Sequence, residues 1–216
     1  MVVGLSDVKV LFEVVEKAGS WVGQVIDKRK DEKERQDAQF LAAAGVLMAA
    51  MRTLDNSVRA ILRELNVFDI EWQSDRRQQL AERINEYAND EKILPIVRQY
   101  TGQLSSMLPE AHREDLADAT EVLECARGVL DALGNSVVTP FPDTTALRSF
   151  LALVKTAKTS SDVHSAIAQA DTVLAVLERD LLAKADLAFG RLKGHILRRH
   201  RELPDPGWSV GLGRKE

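Results

Sequence analysis

Residues 38–68 read AQFLAAAGVLMAAMRTLDNSVRAILRELNVF, and the folding of that stretch decides the class of the whole protein. Phe40, Ala44, Leu47, Met51, Leu54, Val58, Ile61, Leu65 and Phe68 recur at spacings of three and four. An α-helix lines such residues up on one face, whereas a half-buried strand needs period two, which appears nowhere in the chain. Upstream, Val8, Leu11, Val15, Ala18, Val22 and Val25 form a second seam of the same kind, with Ser6 and Asp7 suited to start it.

Between the seams lies DKRKDEKERQD, residues 27–37, with ten charges in eleven positions, five of each sign. It holds no Gly, Pro, Asn or Ser, and Lys28–Glu32 and Lys30–Glu34 are supportive i,i+4 pairs. At about 100° per residue, positions 8 and 44 also point the same way. These features predict one helix from about Ser6 to Asn66, on the order of 90 Å long. The alternative is two helices bent near residues 30–37.

Further along, 67–74 reads as a connection with Ser74 as N-cap. A helix with Leu80, Ala81, Ile84 and Tyr87 on one face follows. Pro95 either sits in a first turn or kinks a continuing helix. Pro109 suits the first position of a helix carrying Leu116, Ala119, Leu123, Ala126, Leu130 and Leu133, which Gly134 stops. Residues 134–143 read as a long loop and 143–158 as a helix. Ser161 is expected to cap a final long helix that Pro204 and Pro206 end. The expected fold is therefore all-α: an antiparallel helical bundle with long N-terminal and C-terminal helices, one domain over 1–203 and a Pro/Gly-containing tail over 204–216.

Composition agrees. Gly and Pro together number 18 of 216 residues, where average usage would give roughly 26, so turns are few and elements long. A hydrophobic share of 45% is enough for a core. The net charge of −4 gives no global attraction to nucleic acid or anionic membrane. The longest apolar run, 38–51, is too short to span a bilayer, and residues 1–13 make a poor signal peptide. A single cysteine, Cys125, excludes an internal disulfide and suits a cytoplasmic setting.

No catalytic, metal or nucleotide signature emerges, so no cofactor is expected and a non-enzymatic role is favoured. Gly190 and Gly194 flank Lys193 inside a helix with no strand before it, which fails as a phosphate loop. His195 and His200 are five apart among arginines, a poor metal pair. Arg198 and Arg199 precede His200 on faces that do not converge with it. Cys125, beside Glu121 and Glu124, reads as a packing residue.

The strongest asymmetry is electrostatic. Residues 109–133 hold seven acids and two arginines, and residues 184–201 hold six bases and Asp186. Two readings compete: the acidic and basic helices neutralise each other, or the basic end docks an acidic partner. The candidate partner-binding residues are Arg191, Lys193, Arg198, Arg199 and Arg201, with Trp208 in the tail as a possible aromatic anchor. Gly19 with Gly23, and the small residues Ala42, Ala43, Ala44, Gly45, Ala49 and Ala50, would let helices approach closely, within the chain or in a homo-oligomer. The leading expectation is an interaction or scaffold protein with a protein partner. One alternative is a nucleic-acid-associated subunit gripping phosphates with the basic end. Another is a membrane-active bundle that releases 38–51.

Overall fold

The computed structural model describes residues 4–28, 31–67, 93–132, 159, 161–162, 164–165, 167–168, 171, 175, 177–203 and 206. The expected connection at 67–74, the Leu80–Tyr87 helix, the 134–143 loop, the 143–158 helix and Trp208 lie outside them, Val67 excepted. Five helices pack together: α1 (Gly4–Lys28), α2 (Glu32–Val67), α3 (Ile93–Met107), α4 (Arg113–Ala132) and α5 (Ala183–Arg199). No strand occurs among the described residues.

The expectation of one helix from Ser6 to Asn66 is corrected. α1 ends at Lys28, α2 begins at Glu32, and the two pack along each other as a hairpin. The stop signal is Asp31. Its Oδ1 accepts the Lys33 N–H at 2.9 Å and its carbonyl accepts the Arg35 N–H at 3.2 Å, which caps α2. Glu32 and Glu34 then sit in the first turn, where the helix dipole favours them. The charged run contains its own cap, so the absence of Gly or Pro did not make it continuous. The shared phase of the two seams reflects two apolar faces folded onto each other. α1 also starts at Gly4, placing Ser6 inside its first turn.

α2 is the hub. From Asp37 to Ala50 every residue except Gln39 and Ala49 is buried, so the helix is enclosed on all sides by α1, α3, α4 and α5. Its small residues are what allow this. Ala42, Ala43, Ala44, Gly45 and Ala50 are all buried, so neighbouring backbones approach closely on several faces. Larger neighbours fill the layers between: Leu41, Leu47, Met48 and Met51 are fully enclosed, each worth about 1.5–3 kcal/mol of burial.

Charge contacts fix the helix directions. Asp37 in the second turn of α2 meets Arg199 at the end of α5, while Arg52 meets Asp186 near its start. On α4, Asp115 meets Arg199 and Asp118 meets Arg191. Hence α5 runs antiparallel to both α2 and α4. One end of the bundle collects the first turns of α2 and α4 and the last turn of α5.

Some boundaries move. Pro95 is the third residue of α3, in its first turn. Pro109 lies in a 3₁₀ turn, Leu108–Glu110, and α4 starts only at Arg113, where the His112 carbonyl accepts the Asp115 and Leu116 N–H groups. The described start of the final helix is capped by Thr159 rather than Ser161. The Thr159 N–H donates to Asp162 Oδ2 at 3.0 Å, and the Asp162 N–H donates to Thr159 Oγ1 at 3.2 Å, a reciprocal capping box. A π-helical turn at Leu177–Leu182 leads into α5. α5 ends at Arg199, ahead of Pro204, and Leu203 folds back into the core.

Candidate functional site

Among the described residues, two places carry more than packing requires: the charged end where α2, α4 and α5 meet, and the outer face of α1.

The charged end is built by the helix dipoles. Glu114 and Asp115 occupy the first turn of α4, and Arg198 and Arg199 the last turn of α5, each where its sign is favoured. Antiparallel packing then brings them together. Arg199 Nη1 donates to Asp37 Oδ2 at 2.7 Å, and Nη2 donates to Asp115 Oδ2 at 2.7 Å and to Glu114 Oε1 at 2.8 Å. Asp37 is 3% exposed and Asp115 1%. The hydrogen bond from Arg199 holds the Glu114 carboxyl below the ordinary carboxylate range.

Three histidines ring this cluster. His200 Nε2 lies 2.8 Å from Asp37 Oδ2, His112 Nε2 lies 3.8 Å from the same oxygen, and His195 Nδ1 lies 3.6 Å from Asp115 Oδ1. Arg199 and His200 thus converge on one carboxylate, contrary to the helical-wheel expectation. The reason is that His200 has left the helix, with φ −118° and ψ 75°, so wheel angles no longer apply to it. Sequence spacing could not find this cluster, because its acids come from positions far from its bases.

Chemically the cluster is largely paired within itself, though the buried Asp115 Oδ1, His112 Nε2 and His195 Nδ1 make no hydrogen bond. A His–Asp pair can orient an imidazole for proton transfer, but the oxygen that His200 uses is already held by Arg199. The guanidinium occupies the position a cation would need between the aspartates. Among the described residues no group of three His, Cys, Asp or Glu side chains is placed to hold a metal ion. Cys125 is buried in α4, and burial, with Glu121 beside it, pushes its thiol up to about 11.

The basic residues divide accordingly. Arg199 is enclosed by its three carboxylates. Arg191 binds Asp118 at 2.7 Å and Glu121 at 3.2 Å. Arg198 is exposed and donates to the Gly194 carbonyl of its own helix. Lys193 is half-buried, Arg201 is exposed, and Trp208 lies outside the described residues. The acidic and basic helices do neutralise each other where they touch.

The outer face of α1 differs in kind. Leu11, Ala18, Trp21 and Val25 are buried, with α2 as the packing partner. Phe12, by contrast, is 45% exposed. Gly19 is exposed, Val15, Gly23 and Ile26 are half-buried, and a Cβ added at either glycine would meet nothing within 4 Å. The expected seam of α1 faces the core, with Leu11, Ala18 and Val25 buried and Val15 and Val22 packed against that core, whereas Phe12 and Gly19 lie off it. The glycines serve no crossing among the described elements, whereas the alanines of α2 do. The other large exposed apolar residue among those described, Leu187 on α5, stands between Lys184 and Arg191. A lone residue of that kind is ordinary surface.

No described helix is long and apolar enough to cross a membrane, and 38–51 is the centre of the core. No protein-family model, no curated protein and no solved structure matches this chain.

Proposed function

We propose that this protein is a helical interaction module that docks a protein partner on the outer face of α1. One observation supports the reading above others. Phe12 stands 45% exposed and Gly19 is exposed on a helix whose Leu11, Ala18 and Val25 form the core, with Val15 and Val22 packed against it. An exposed large aromatic on a helix face is suited to a pocket on another helix. The charged end supports the same class by default, since Arg199 and Arg191 are engaged within the fold and offer little to a phosphate backbone.

The test places a photoreactive side chain at position 12, with position 17 as control, because Lys17 is exposed but lies off the Phe12 face. Crosslinks to protein from position 12 and none from position 17 are expected in the native host. Equal yields from both, or none from position 12, would reject docking on this face.

A further inference from the structure

The charged end opens on one side into a cleft of about 360 Å³ between the start of α2 and the end of α3, within the size range of small-molecule sites. Asp37 joins the two. It is 3% exposed and lines the cleft. Arg199 and His200 both use its Oδ2, whereas its Oδ1 has no hydrogen-bond partner among the described residues. A carboxylate oxygen so secluded gains from a charged donor brought to it.

The rest of the lining favours a cation with an apolar body. Glu32 and Glu110 add two carboxylates, and no basic residue lines the walls. The side-chain amides of Gln36, Gln39 and Gln103 make no hydrogen bond to the described protein, so their carbonyls are open to donors. Phe40 and Met107 supply the apolar surface. α3 has no basic residue in its last turn, so the negative end of its dipole is uncompensated from its own helix. Lys33 shows the preference already, since its Nζ donates to the Glu110 carbonyl at 2.6 Å. The positive end of α2 opposes it, but Glu32 and Glu34 in the first turn answer that.

We infer that this cleft binds a linear aliphatic polyamine. A metal ion has the wrong distribution of charge, because among the described residues no three His, Cys, Asp or Glu side chains converge on one point. Carboxylates that share a cleft without converging suit a cation whose charges are spaced along a chain. The methylenes between those charges lie on Phe40 and Met107, as the stems of long cationic side chains do on apolar surface. No residue of α1 lines the cleft, so the site is independent of docking at Phe12.

Isothermal titration calorimetry of the full chain with spermidine is the test. Saturable one-to-one binding is expected, tighter than that of putrescine, which carries one charge fewer. Glu32→Gln and Glu110→Gln should each weaken spermidine about threefold to fivefold, as the loss of an exposed ion pair does. Both side chains are exposed, so the melting temperature should not change. Met107→Lys puts an ammonium in the cleft and should abolish binding. Glu13→Gln with Glu16→Gln removes exposed carboxylates from α1 and should leave the affinity as it was. No saturation at millimolar spermidine, or full affinity in the Glu32→Gln, Glu110→Gln double variant, overturns the inference. Equal weakening by the α1 pair, or magnesium displacing spermidine at equal concentration, also overturns it, as diffuse attraction to an acidic surface.

Discussion

Replacing Arg199 with Met tests whether the charged end holds the bundle together. The substitution keeps most of the aliphatic stem and removes the guanidinium, so the loss is electrostatic. Three charge-assisted hydrogen bonds vanish, and two of the carboxylates they served, Asp37 and Asp115, are almost wholly buried. Removing one partner of a buried pair typically costs about 3–5 kcal/mol, because the other charge is left without compensation. Two features pull the value to the lower end. His200 still reaches Asp37 at 2.8 Å, and the Arg199 side chain is 18% exposed, so water enters readily. We expect about 3 kcal/mol. For a chain of this size that lowers Tm by roughly 6–12 °C. Arg198→Met is the control. It lies one residue away on the same helix end, is exposed, and bonds only its own turn. Its cost should stay within about 0.5 kcal/mol. Urea and thermal unfolding followed by far-UV circular dichroism measure both. Added salt should do little to the Arg199→Met deficit but should mute that of Arg191→Met, whose side chain is half exposed. An Arg199→Met loss below about 1 kcal/mol, or one equal to that of Arg198→Met, would mean the aspartates relax into water and the network holds nothing.

Asp31→Ala removes the cap of α2 and should cost about 1 kcal/mol. With spin labels at Lys17 and Ala49, the hairpin places the labels within about 25 Å, against about 48 Å for a continuous helix. Cys125 should label slowly in the native state, because its thiol is buried and pushed up to about 11. Rapid reaction at neutral pH would contradict that burial. Glu114 has a depressed folded-state value, so its contribution is present above the ordinary carboxylate range, about 4.3, and is lost as pH falls through the folded value. The gap in stability between the native protein and Arg199→Met should therefore narrow in acid, and a gap that widens would refute the assignment.

The fold class was legible in the sequence because three-four periodicity, scarce turn residues and helix-forming composition all act locally. The same locality made the individual seams readable: Leu47, Met51, Ala119, Leu123, Ala185 and Leu192 are buried as their spacing requires. Residues 27–37 contain no Gly or Pro, yet Asp31 accepts the Lys33 amide and starts a second helix that packs back on the first. The signal that could have found it was present, since Asp followed three residues later by Glu34 is a capping pattern.

What only the tertiary structure decided is which surfaces meet. The opposite charges of 109–133 and 184–201 were visible, but their engagement required antiparallel packing of α4 on α5, a relation no local interaction sets. Asp37 joins Arg199 across 162 positions of chain, and His200 joins them only because the helix ends one residue before it. Leu11 and Phe12 are adjacent large apolar residues in the sequence, yet Leu11 is fully buried and Phe12 is 45% exposed, because α1 packs one face on α2. Local periodicity determines that a helix forms and which of its residues are apolar. Burial is a property of neighbours, and neighbours are chosen by the packing of the whole chain.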